Sequence, residues 1–337
     1  MSYSVRIEST KHVFQVKEGE SVLDAALNQG IVLPYGCRGG GCGACKGQLI
    51  EGSISYPDGL PSGLSEDDHN KGFALFCQAI PNNDLVIKTK EIALSAEIAV
   101  KILPCRVHEK VQLSHDVVLI KLLLPKTERL QFFAGQYIDI LLKNGKHRSF
   151  SLANPPHDDE FLELHIRHIP GGQFTGEVFD EMKEKDMLRI EGPRGSFYLR
   201  EESERPIILM AGGTGFAPIK GMIEHALEIG LQRPIHLYWG ARTKADLYMD
   251  ELAQSWTKQN PLIRYTPVLS DAKEEDNWSG RTGYVHHAIM EDYSDLSQYE
   301  IYGSGAPAMV YAGRDEFVKN NLDLDHYYSD AFEYQND

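Results

Sequence analysis

Four of the five cysteines in this chain have a spacing that suits metal chemistry. Cys37, Cys42 and Cys45 follow the pattern C-x4-C-x2-C, and 31 residues separate Cys45 from Cys77. At this spacing four thiolates ligate the two irons of a [2Fe–2S] cluster. The loop is rich in glycine, which permits sharp turns and lets backbone N–H groups reach the sulfur atoms. The sequence therefore predicts a [2Fe–2S] cluster with these four cysteines as its ligands.

Two other uses of these cysteines remain open at this point. A structural zinc site usually draws its cysteines as pairs from two separate knuckles, whereas three of these cysteines fall within nine residues. A disulfide needs an oxidising compartment, and the first residues lack the basic and apolar segments of a signal peptide. Both alternatives are less favoured than the cluster. The fifth cysteine, Cys105, is interpreted as an ordinary packed or surface residue.

The composition disfavours several classes of partner. The chain has 337 residues, 42% of them hydrophobic, and a formal net charge of −15. This charge argues against binding to nucleic acid or to an anionic membrane. No apolar run approaches the length of a membrane span. We therefore expect a cytoplasmic protein of two or three domains, a monomer that docks with another protein.

The elements that must position the cysteine loop form a small domain. Alternating residues, a capping serine and a stop glycine predict a hairpin at 3–8 and 12–17, a helix between Ser21 and Gly30, and strands at 47–52 and 85–88. This β-grasp arrangement, together with the four spaced cysteines, resembles a plant-type ferredoxin over residues 1–92. Residues 93–101 are interpreted as a linker.

The middle of the chain, residues 102–203, is rich in strand patterns separated by turn signals. The clearest patterns lie at 117–124, 136–142 and 161–167. Many short strands of this kind favour an antiparallel β-barrel.

One of these strands, residues 148–154, carries the sequence Arg-Ser-Phe-Ser-Leu-Ala-Asn. An ordinary edge strand is the alternative interpretation of so short a pattern. The pattern resembles a signature of the ferredoxin–NADP reductase superfamily, which implies a barrel that binds FAD. The guanidinium of Arg148 is a forked donor suited to a pyrophosphate, and Phe150 could pack on the cofactor rings. The resemblance places the hydroxyl of Ser151 near flavin N5.

A second motif, Pro170–Thr175, supports the FAD interpretation. In the superfamily a strand that ends in G-G-x-x-[ST] begins a helix whose N-terminus meets the same pyrophosphate, and such a helix end favours an anion. The FAD-binding residues expected on this basis are Arg148, Ser149, Phe150, Ser151, His165, Arg167, Gly171, Gly172, Gln173, Phe174 and Thr175.

The last third, residues 204–337, alternates strands with helices. The continuous apolar strand at 206–211 is typical of a buried parallel sheet. Further strands are predicted at 235–240, 263–269 and 299–302, with helices at 218–229, near 246–256 and up to about 320. This order predicts a doubly wound α/β domain with a parallel sheet.

The turn Gly212–Pro218 joins the first of these strands to a helix, the geometry that places a pyrophosphate on a helix N-terminus. The G-x-G-x-x-G fingerprint is not met, and a glycine-rich turn without a ligand is the alternative. The turn resembles the superfamily's own G-G-T-G-x-[AT]-P motif, which implies nicotinamide nucleotide binding. The expected binding residues are Gly212, Gly213, Thr214, Gly215, Pro218, Arg242, Asp271, Gly305, Met309 and Phe332.

Three residues bear on the details of this site. Asp271 stands where members that use NADPH tend to have an arginine for the 2′-phosphate, and its charge favours NADH over NADPH. Ser304 replaces the cysteine usual in the family's Y-x-C-G-x-P-x-M motif, so a role for a thiol beside the nicotinamide is in doubt. Phe332 belongs to a D-x-F ending, which resembles that of the bacterial reductases and implies an aromatic that covers the flavin; a core aromatic of the last strand is the alternative. Ser151, Ser304 and Phe332 are thus the expected catalytic residues.

Over essentially its whole length the chain resembles reductase components of bacterial multicomponent oxygenases and the related CDP-6-deoxy-Δ3,4-glucoseen reductases. The resemblance implies that electrons pass from NADH through FAD and the [2Fe–2S] cluster to a partner, either an oxygenase or hydroxylase component or a deoxysugar dehydrase. Arg38, Gly39 and Gly40 are expected to form the surface for that partner. A non-enzymatic iron–sulfur electron carrier with a degenerate reductase tail is the alternative from another class.

Overall fold

The computed structural model describes residues 2–89 and 98–332. The chain divides into two compact units, Met1–Ile98 and Ala99–Asp337. Residues 93–97 of the predicted linker lie outside the described residues. The last residue assigned to that linker, Lys101, is the first residue of a strand. Among the described residues, no helix combines the length and the apolar character needed to cross a membrane.

The first unit is built around a five-stranded mixed sheet with the order β2-β1-β7-β3-β5. β1 pairs antiparallel with β2 and parallel with β7. The helix α1 begins after Ser21, whose side chain accepts a hydrogen bond from the Asp24 N–H, and its buried face packs with the sheet in one core. The elements are β1 (Ser2–Ile7), β2 (Val13–Lys17), α1 (Val22–Asn28), β3 (Lys46–Glu51), β4 (Ile54–Ser55), α2 (Glu66–Asn70), β5 (Phe73–Leu75), β6 (Ile80–Pro81) and β7 (Leu85–Lys88). This is the predicted β-grasp fold.

The second unit begins with a six-stranded antiparallel sheet, in the order β11-β10-β13-β8-β9-β12. A bridge between Leu152 and Leu164 joins its two ends, so the sheet closes into the predicted barrel. Its interior is filled by inward-facing side chains such as Val118, Ile138 and Ile190. The elements are β8 (Lys101–Gln112), β9 (Val117–Leu123), β10 (Tyr137–Leu141), β11 (His147–Ser151), β12 (Leu162–Arg167), α3 (Gln173–Asp180) and β13 (Met187–Arg194).

The rest of the second unit is a parallel sheet with the order β17-β16-β15-β14-β18-β19. One core contains Phe216 and Trp256 of the helices α4 and α5, and another contains Ile289 and Phe317 of α6 and α7. The elements are β14 (Ile207–Gly212), α4 (Phe216–Glu228), β15 (Ile235–Ala241), α5 (Asp250–Gln259), β16 (Ile263–Leu269), β17 (Arg281–Thr282), α6 (Val285–Asp292), β18 (Glu300–Gly305), α7 (Pro307–Lys319) and β19 (Tyr327–Ala331). The doubly wound prediction is confirmed.

The strand order of this sheet reverses between β14 and β18, which leaves a crevice at the carboxyl ends of these two strands. Ligands of open α/β sheets bind at such a topological switch point. The glycine turn after β14 and the residues at the end of β18 meet there.

Candidate cofactor sites

The cysteine loop brings the four predicted cluster ligands together. The Cys37 N–H donates to the Cys42 sulfur at 3.4 Å, and the Cys42 N–H donates to the Cys37 sulfur at the same distance. The thiols of Cys45 and Cys77 are hydrogen-bonded to each other. All four are free thiols, and all except Cys37 are buried. The arrangement gives two thiol pairs rather than a disulfide.

Hydrogen bonds inside the loop set the acidity of these thiols. The Cys42 thiol and the N–H groups of the loop lower the pKa of Cys37 to about 6 against the effect of burial. The bond to Cys37 and burial raise the pKa of Cys42, and the bond to Cys77 and burial do the same for Cys45. Backbone donors directed at sulfur stabilise thiolate, the form that ligates iron. The residues present therefore fit a [2Fe–2S] cluster.

The fold of the loop depends on glycine at specific points. Gly40 has φ +81°, and a Cβ there would lie 2.9 Å from both Pro61 and Gln78. A Cβ on Gly63 would lie 2.2 Å from the carbonyl oxygen of Gly41. The segment around Pro61 therefore lies directly against the cysteine loop and buries part of it.

This packing corrects the expected partner surface. Gly39 is exposed, but Gly40 is buried. Arg38 is half-buried and forms an ion pair with Asp24 at 2.6 Å. Of the three residues expected at the surface, only Gly39 is fully available to solvent.

The strand β11 and the helix α3 supply most of the residues expected to bind FAD. The rings of Phe150 and Phe174 lie 5.7 Å apart, which places the strand beside the first turn of the helix. Within the described part of the chain, no side chain caps the N-terminus of α3. Thr175 instead holds the preceding turn, because its hydroxyl lies 3.2 Å from the N–H of Ile169. The uncapped helix end and the nearby half-buried Arg148 fit a pyrophosphate.

The two serines of β11 have different surroundings. Ser149 donates to Asp139 at 2.5 Å, and Asp139 also lies 3.1 Å from the guanidinium of Arg194. Ser151 is buried and donates to the carboxylate of Asp330 at 2.8 Å. This second bond links the barrel to β19, the last strand of the parallel sheet. The D-x-F ending contains Asp330, so a signal for this residue was present in the sequence.

His165 and Arg167 of β12 point away from the barrel interior. Arg167 lies against the turn at Gly212–Gly215 (the nucleotide turn), since a Cβ on Gly213 would be 2.7 Å from its guanidinium. It also forms an ion pair with Asp116 at 3.2 Å. His165 is fully buried and contacts the hydroxyl of Tyr248 at 3.1 Å. His165 therefore lies in the junction between the barrel and the parallel-sheet domain.

This junction contains a buried cluster of charges that sequence reasoning did not find. Glu163 lies 3.0 Å from His165 and 3.1 Å from Lys220, and Lys220 lies 2.9 Å from Glu224. Burial alone would raise the pKa of Glu163, but His165 and Lys220 hold it at about 2. Burial lowers the pKa of His165, so its imidazole is neutral near pH 7. The cluster fixes α4 to the barrel.

A cavity of about 820 Å³ occupies the switch point of the parallel sheet. Eight of the predicted cofactor residues line it: Arg167, Gly212, Gly213, Thr214, Arg242, Asp271, Met309 and Phe332. Its size suits a large part of a dinucleotide. The residues present fit a nicotinamide nucleotide, because backbone N–H groups of a glycine turn and two arginines face one concave surface.

Other predicted residues do not line this cavity but pack beneath the residues that do. A Cβ on Gly215 would lie 2.1 Å from the carbonyl oxygen of Ser304, and a Cβ on Gly305 would lie 2.7 Å from that of Gly212. The two turns are thus in backbone contact. Ser304 is fully buried, and its hydroxyl has no hydrogen-bond partner among residues 2–89 and 98–332. Pro218 is buried in the first turn of α4.

At another part of the cavity lining, the carbonyl of Arg242 accepts a hydrogen bond from the Asp271 N–H at 2.9 Å. The Asp271 carboxylate pairs with Lys273 at 2.7 Å, and both side chains are about half exposed. The lysine partly offsets the negative charge that the sequence interpretation emphasised.

Sequence reasoning missed several residues of the cavity lining, among them His115, Asp116, Asp246, Tyr284, His286 and His287. Tyr284 to His287 follow β17 at the carboxyl edge of the parallel sheet, where ligands of such sheets bind. Their position after a strand of the parallel sheet could have indicated them, but β17 has only two residues and α6 was not predicted.

Comparison with known proteins agrees with this architecture. Residues 5–82 match the 2Fe-2S iron-sulfur cluster binding domain, residues 104–198 the oxidoreductase FAD-binding domain, and residues 209–315 the oxidoreductase NAD-binding domain. Protein RfbI of Salmonella typhimurium is 40% identical over 332 residues, which cover 98% of this chain and 97% of that protein. The chain belongs to the three-domain [2Fe–2S] ferredoxin, FAD and NAD(P)H reductase family.

A second related protein and a solved structure are similar to this chain over nearly their full lengths. The CDP-6-deoxy-L-threo-D-glycero-4-hexulose-3-dehydrase reductase of Yersinia pestis is 37% identical over 98% of this chain and 99% of that protein. The crystal structure of the Amycolatopsis cytochrome P450 reductase GcoB has a TM-score of 0.79 and 31% identity, and covers 98% of each chain. The present chain is therefore an NAD(P)H-dependent oxidoreductase with [2Fe–2S], FAD and nicotinamide nucleotide as cofactors, and it donates electrons to an acceptor protein.

Proposed function

We propose that the chain uses NADH in preference to NADPH, and that Ser151, Asp330 and Phe332 form the wall between its flavin and nicotinamide sites. The Ser151–Asp330 hydrogen bond of 2.8 Å carries the part of this proposal that concerns the wall. It joins the predicted flavin strand to β19, and Phe332, the second residue after Asp330, lines the nucleotide cavity. The hydrogen bond therefore connects the predicted flavin strand to the segment that reaches the nucleotide cavity.

When bound, the nicotinamide supplies hydride, the flavin converts two-electron into one-electron transfer, and the cluster transfers single electrons. The protein binds and orients these groups. Arg148 and the α3 N-terminus would hold the FAD pyrophosphate, and the turn at Gly212–Gly215 and Arg167 would hold that of the nucleotide. The Asp330 carboxylate accepts a hydrogen bond from the Ser151 hydroxyl and so fixes the direction in which the Ser151 oxygen presents its lone pairs.

The preference for NADH rests on Asp271. Its carboxylate lines the cavity, and a 2′-phosphate beside it would meet a like charge. Lys273 reduces this repulsion without removing it, because both side chains are exposed and the pair is screened by water. A preference for NADH, rather than an absolute requirement, is the expected outcome.

For the acceptor we favour a sugar-nucleotide dehydrase over an oxygenase. The Yersinia pestis dehydrase reductase is 37% identical to this chain, and a terephthalate 1,2-dioxygenase reductase component of Comamonas sp is 34% identical over a similar length, so the identities favour the dehydrase by a small margin. An oxygen-activating partner is the second candidate. Free thiols in the cluster loop suit a reducing compartment, so a cytoplasmic location is proposed. The expectation of a monomer is kept as a separate proposal.

The electron path is tested by anaerobic addition of NADH to the purified holoprotein. Bleaching of both the flavin and the iron–sulfur absorbance is expected. Reduction of the flavin alone would contradict the path.

Replacement of a cluster ligand gives a sharper test. Cys42→Ser should abolish cluster-dependent reduction of cytochrome c and leave NADH-dependent reduction of ferricyanide largely intact. Cys105→Ala is the matched control, because Cys105 is buried in the barrel core and should leave both activities in place. Loss of both activities in Cys42→Ser would indicate that the loop is structural instead.

The acceptor is tested by reconstitution with a purified CDP-hexulose dehydrase and, separately, with an oxygenase component. Faster NADH oxidation and product formation with the dehydrase and its sugar substrate would support the first candidate. Turnover coupled only to the oxygenase would replace it with the second.

A further inference from the structure

We infer that His286, His287 and Glu316 form a binding site for a first-row transition-metal ion of the zinc class at one end of the nucleotide cavity. None of these residues is among those assigned above to the cluster, to FAD or to the nucleotide pyrophosphate. The ligand atoms of all three side chains lie within 4.8 Å of one another. Two imidazoles and one carboxylate form the donor set of many zinc sites that keep a coordination position open.

The spacing of the three side chains suits a shared ion better than direct hydrogen bonds. Nε2 of His286 lies 3.8 Å from one oxygen of Glu316, and Nε2 of His287 lies 3.5 Å from the other. The first distance is too long for a hydrogen bond and the second is at its limit. Ligand atoms on neighbouring corners of a tetrahedral zinc site are about 3.4 Å apart, given bonds of 2.0–2.1 Å. A modest inward movement would complete the site.

The surroundings combine a fixed ligand with two adaptable ones. The His286 side chain is 7% exposed, whereas those of His287 and Glu316 are 53% and 35% exposed. The His286 ring is stacked with the ring of Tyr284, at 5.8 Å and an angle of 10°. The buried ring therefore provides a rigid ligand, and solvent can supply the open coordination position.

The position of the cluster connects it to the nucleotide cavity. His286 and His287 are lining residues, and so are Ala308 and Ala312 of α7. Glu316 lies four residues after Ala312 on the same face of α7, about 12 Å along the helix axis from Ala308. A metal held there joins α6 to α7 and fills one end of the cavity. This link to the cavity rests on the proposed nucleotide site, whereas the metal site itself does not.

Calorimetric titration of the chelator-treated holoprotein with ZnCl2 tests the site. One saturable equivalent of zinc is expected, with the visible spectrum of the iron–sulfur cluster unchanged. His287→Gln and Glu316→Gln should each weaken binding at least about tenfold. His12→Gln is the matched control, since His12 is an exposed histidine of the first unit and should leave binding unchanged. No saturable binding by the unaltered protein, or equal binding by Glu316→Gln, would overturn the inference.

Kinetics test the link to the nucleotide. Zinc at a concentration equal to its Kd should about double the apparent KM for NADH, without a change in kcat, because the two ligands compete for one space. The effect should disappear in Glu316→Gln. Calorimetric binding of zinc with an unchanged KM for NADH would refute the proposed competition between zinc and NADH. The proposed reductase function would not be affected by that result.

Discussion

The cysteine loop and the nucleotide turn are both rich in glycine, but they use glycine for different physical reasons. In the cysteine loop, Gly40 and Gly43 adopt positive φ values, so that the chain reverses and its N–H groups face sulfur. In the nucleotide turn, Gly215 is needed because the carbonyl of Ser304 would lie 2.1 Å from any Cβ. Backbone freedom is the main requirement at Gly40 and Gly43, and space is the requirement at Gly215, although Gly213 in the nucleotide turn also has a positive φ of +53°.

The two loops also differ in what lies behind them. The cysteine loop is covered by the turn around Pro61 and by apolar side chains of the first unit. The helix after the nucleotide turn is fixed by the buried cluster of Glu163, His165, Lys220 and Glu224. Substitutions near the nucleotide turn should therefore change stability and KM, and those near the cysteine loop should change electron delivery to the acceptor.

The largest effect is expected from Lys220→Met. Removing the lysine leaves buried carboxylates without their cation, a change that typically costs about 3–5 kcal/mol. Thermal denaturation should show a marked loss of stability of the second unit. Lys258→Met, an exposed lysine on α5, is the control and should have little effect. A small effect of Lys220→Met that is matched by Lys258→Met would show that the junction does not depend on charge.

Acid should destabilise the second unit through the same cluster. The pKa of Glu163 is held at about 2, below its ordinary value of 4.5. The stabilisation is therefore complete above pH 4.5 and is lost as the pH falls from 4.5 towards 2, to a total of about 3 kcal/mol. Unfolding followed by tryptophan fluorescence across this range should show the loss, because all three tryptophans lie in this unit. Glu163→Gln, although less stable at neutral pH, should show a flatter pH dependence.

Gly215→Ala tests whether space is the requirement in the nucleotide turn. The added methyl group would force the turn away from Ser304, and overpacking of this kind costs about 1–3 kcal/mol. We also expect a higher KM for NADH, because the displaced turn forms part of its site. Gly176→Ala is the control, since a Cβ there meets no atom within 4 Å. Unchanged kinetics in Gly215→Ala would remove the contrast between the two loops.

Gly40→Ala tests the requirement for backbone freedom in the cysteine loop. A positive φ costs an L-residue about 1–2 kcal/mol, and the Cβ would also press on Pro61 and Gln78. A lower iron content per chain and slower cytochrome c reduction are expected, with ferricyanide reduction maintained. Gly39→Ala should be tolerated, because its nearest neighbour is 3.9 Å away. Equal losses in both variants would mean that any substitution in the loop is harmful.

The smallest effect is expected from Asp271→Asn, which removes one exposed charge from the cavity lining. The KM for NADPH should fall by about twofold to fivefold, in line with the modest energy of exposed charge pairs. The KM for NADH should change little. Steady-state kinetics with both nucleotides measures this difference, and an equal change for both would show that Asp271 does not contact the 2′ position.

The parts of the molecule that sequence predicted well are those whose chemistry is local. Cys37, Cys42 and Cys45 lie within nine residues, and each of the two glycine turns is a continuous segment. The parts that it missed depend on contacts between distant segments. His165 was predicted as an FAD-binding residue, but its contact with Tyr248 across 83 residues was not predicted, and neither was the contact of Lys220 with Glu163 across the junction. No local pattern distinguishes such residues from ordinary polar positions on a strand or a helix.

The short helix α6 shows the same limit at the level of an element. It follows a two-residue strand, so no clear sequence pattern indicates that His286 and His287 reach the cavity. The strand β8 was not among the predicted strands, because polar and charged residues interrupt its apolar pattern. In each case the fold class was predictable, and the identity of the residues brought to the site depended on tertiary packing.

The bond between Ser151 and Asp330 also bears on the biosynthesis of this enzyme. The two residues are separated by 179 positions. A ribosome that adds 5–20 residues per second needs about 10–35 s to pass from one to the other. During this interval the flavin strand lacks the partner of its buried serine, and the nucleotide domain lacks its edge strand β19. A nascent chain can therefore complete the cysteine-containing unit before Asp330 is available to Ser151, so the four cluster ligands can come together before the proposed wall beside the flavin strand is complete.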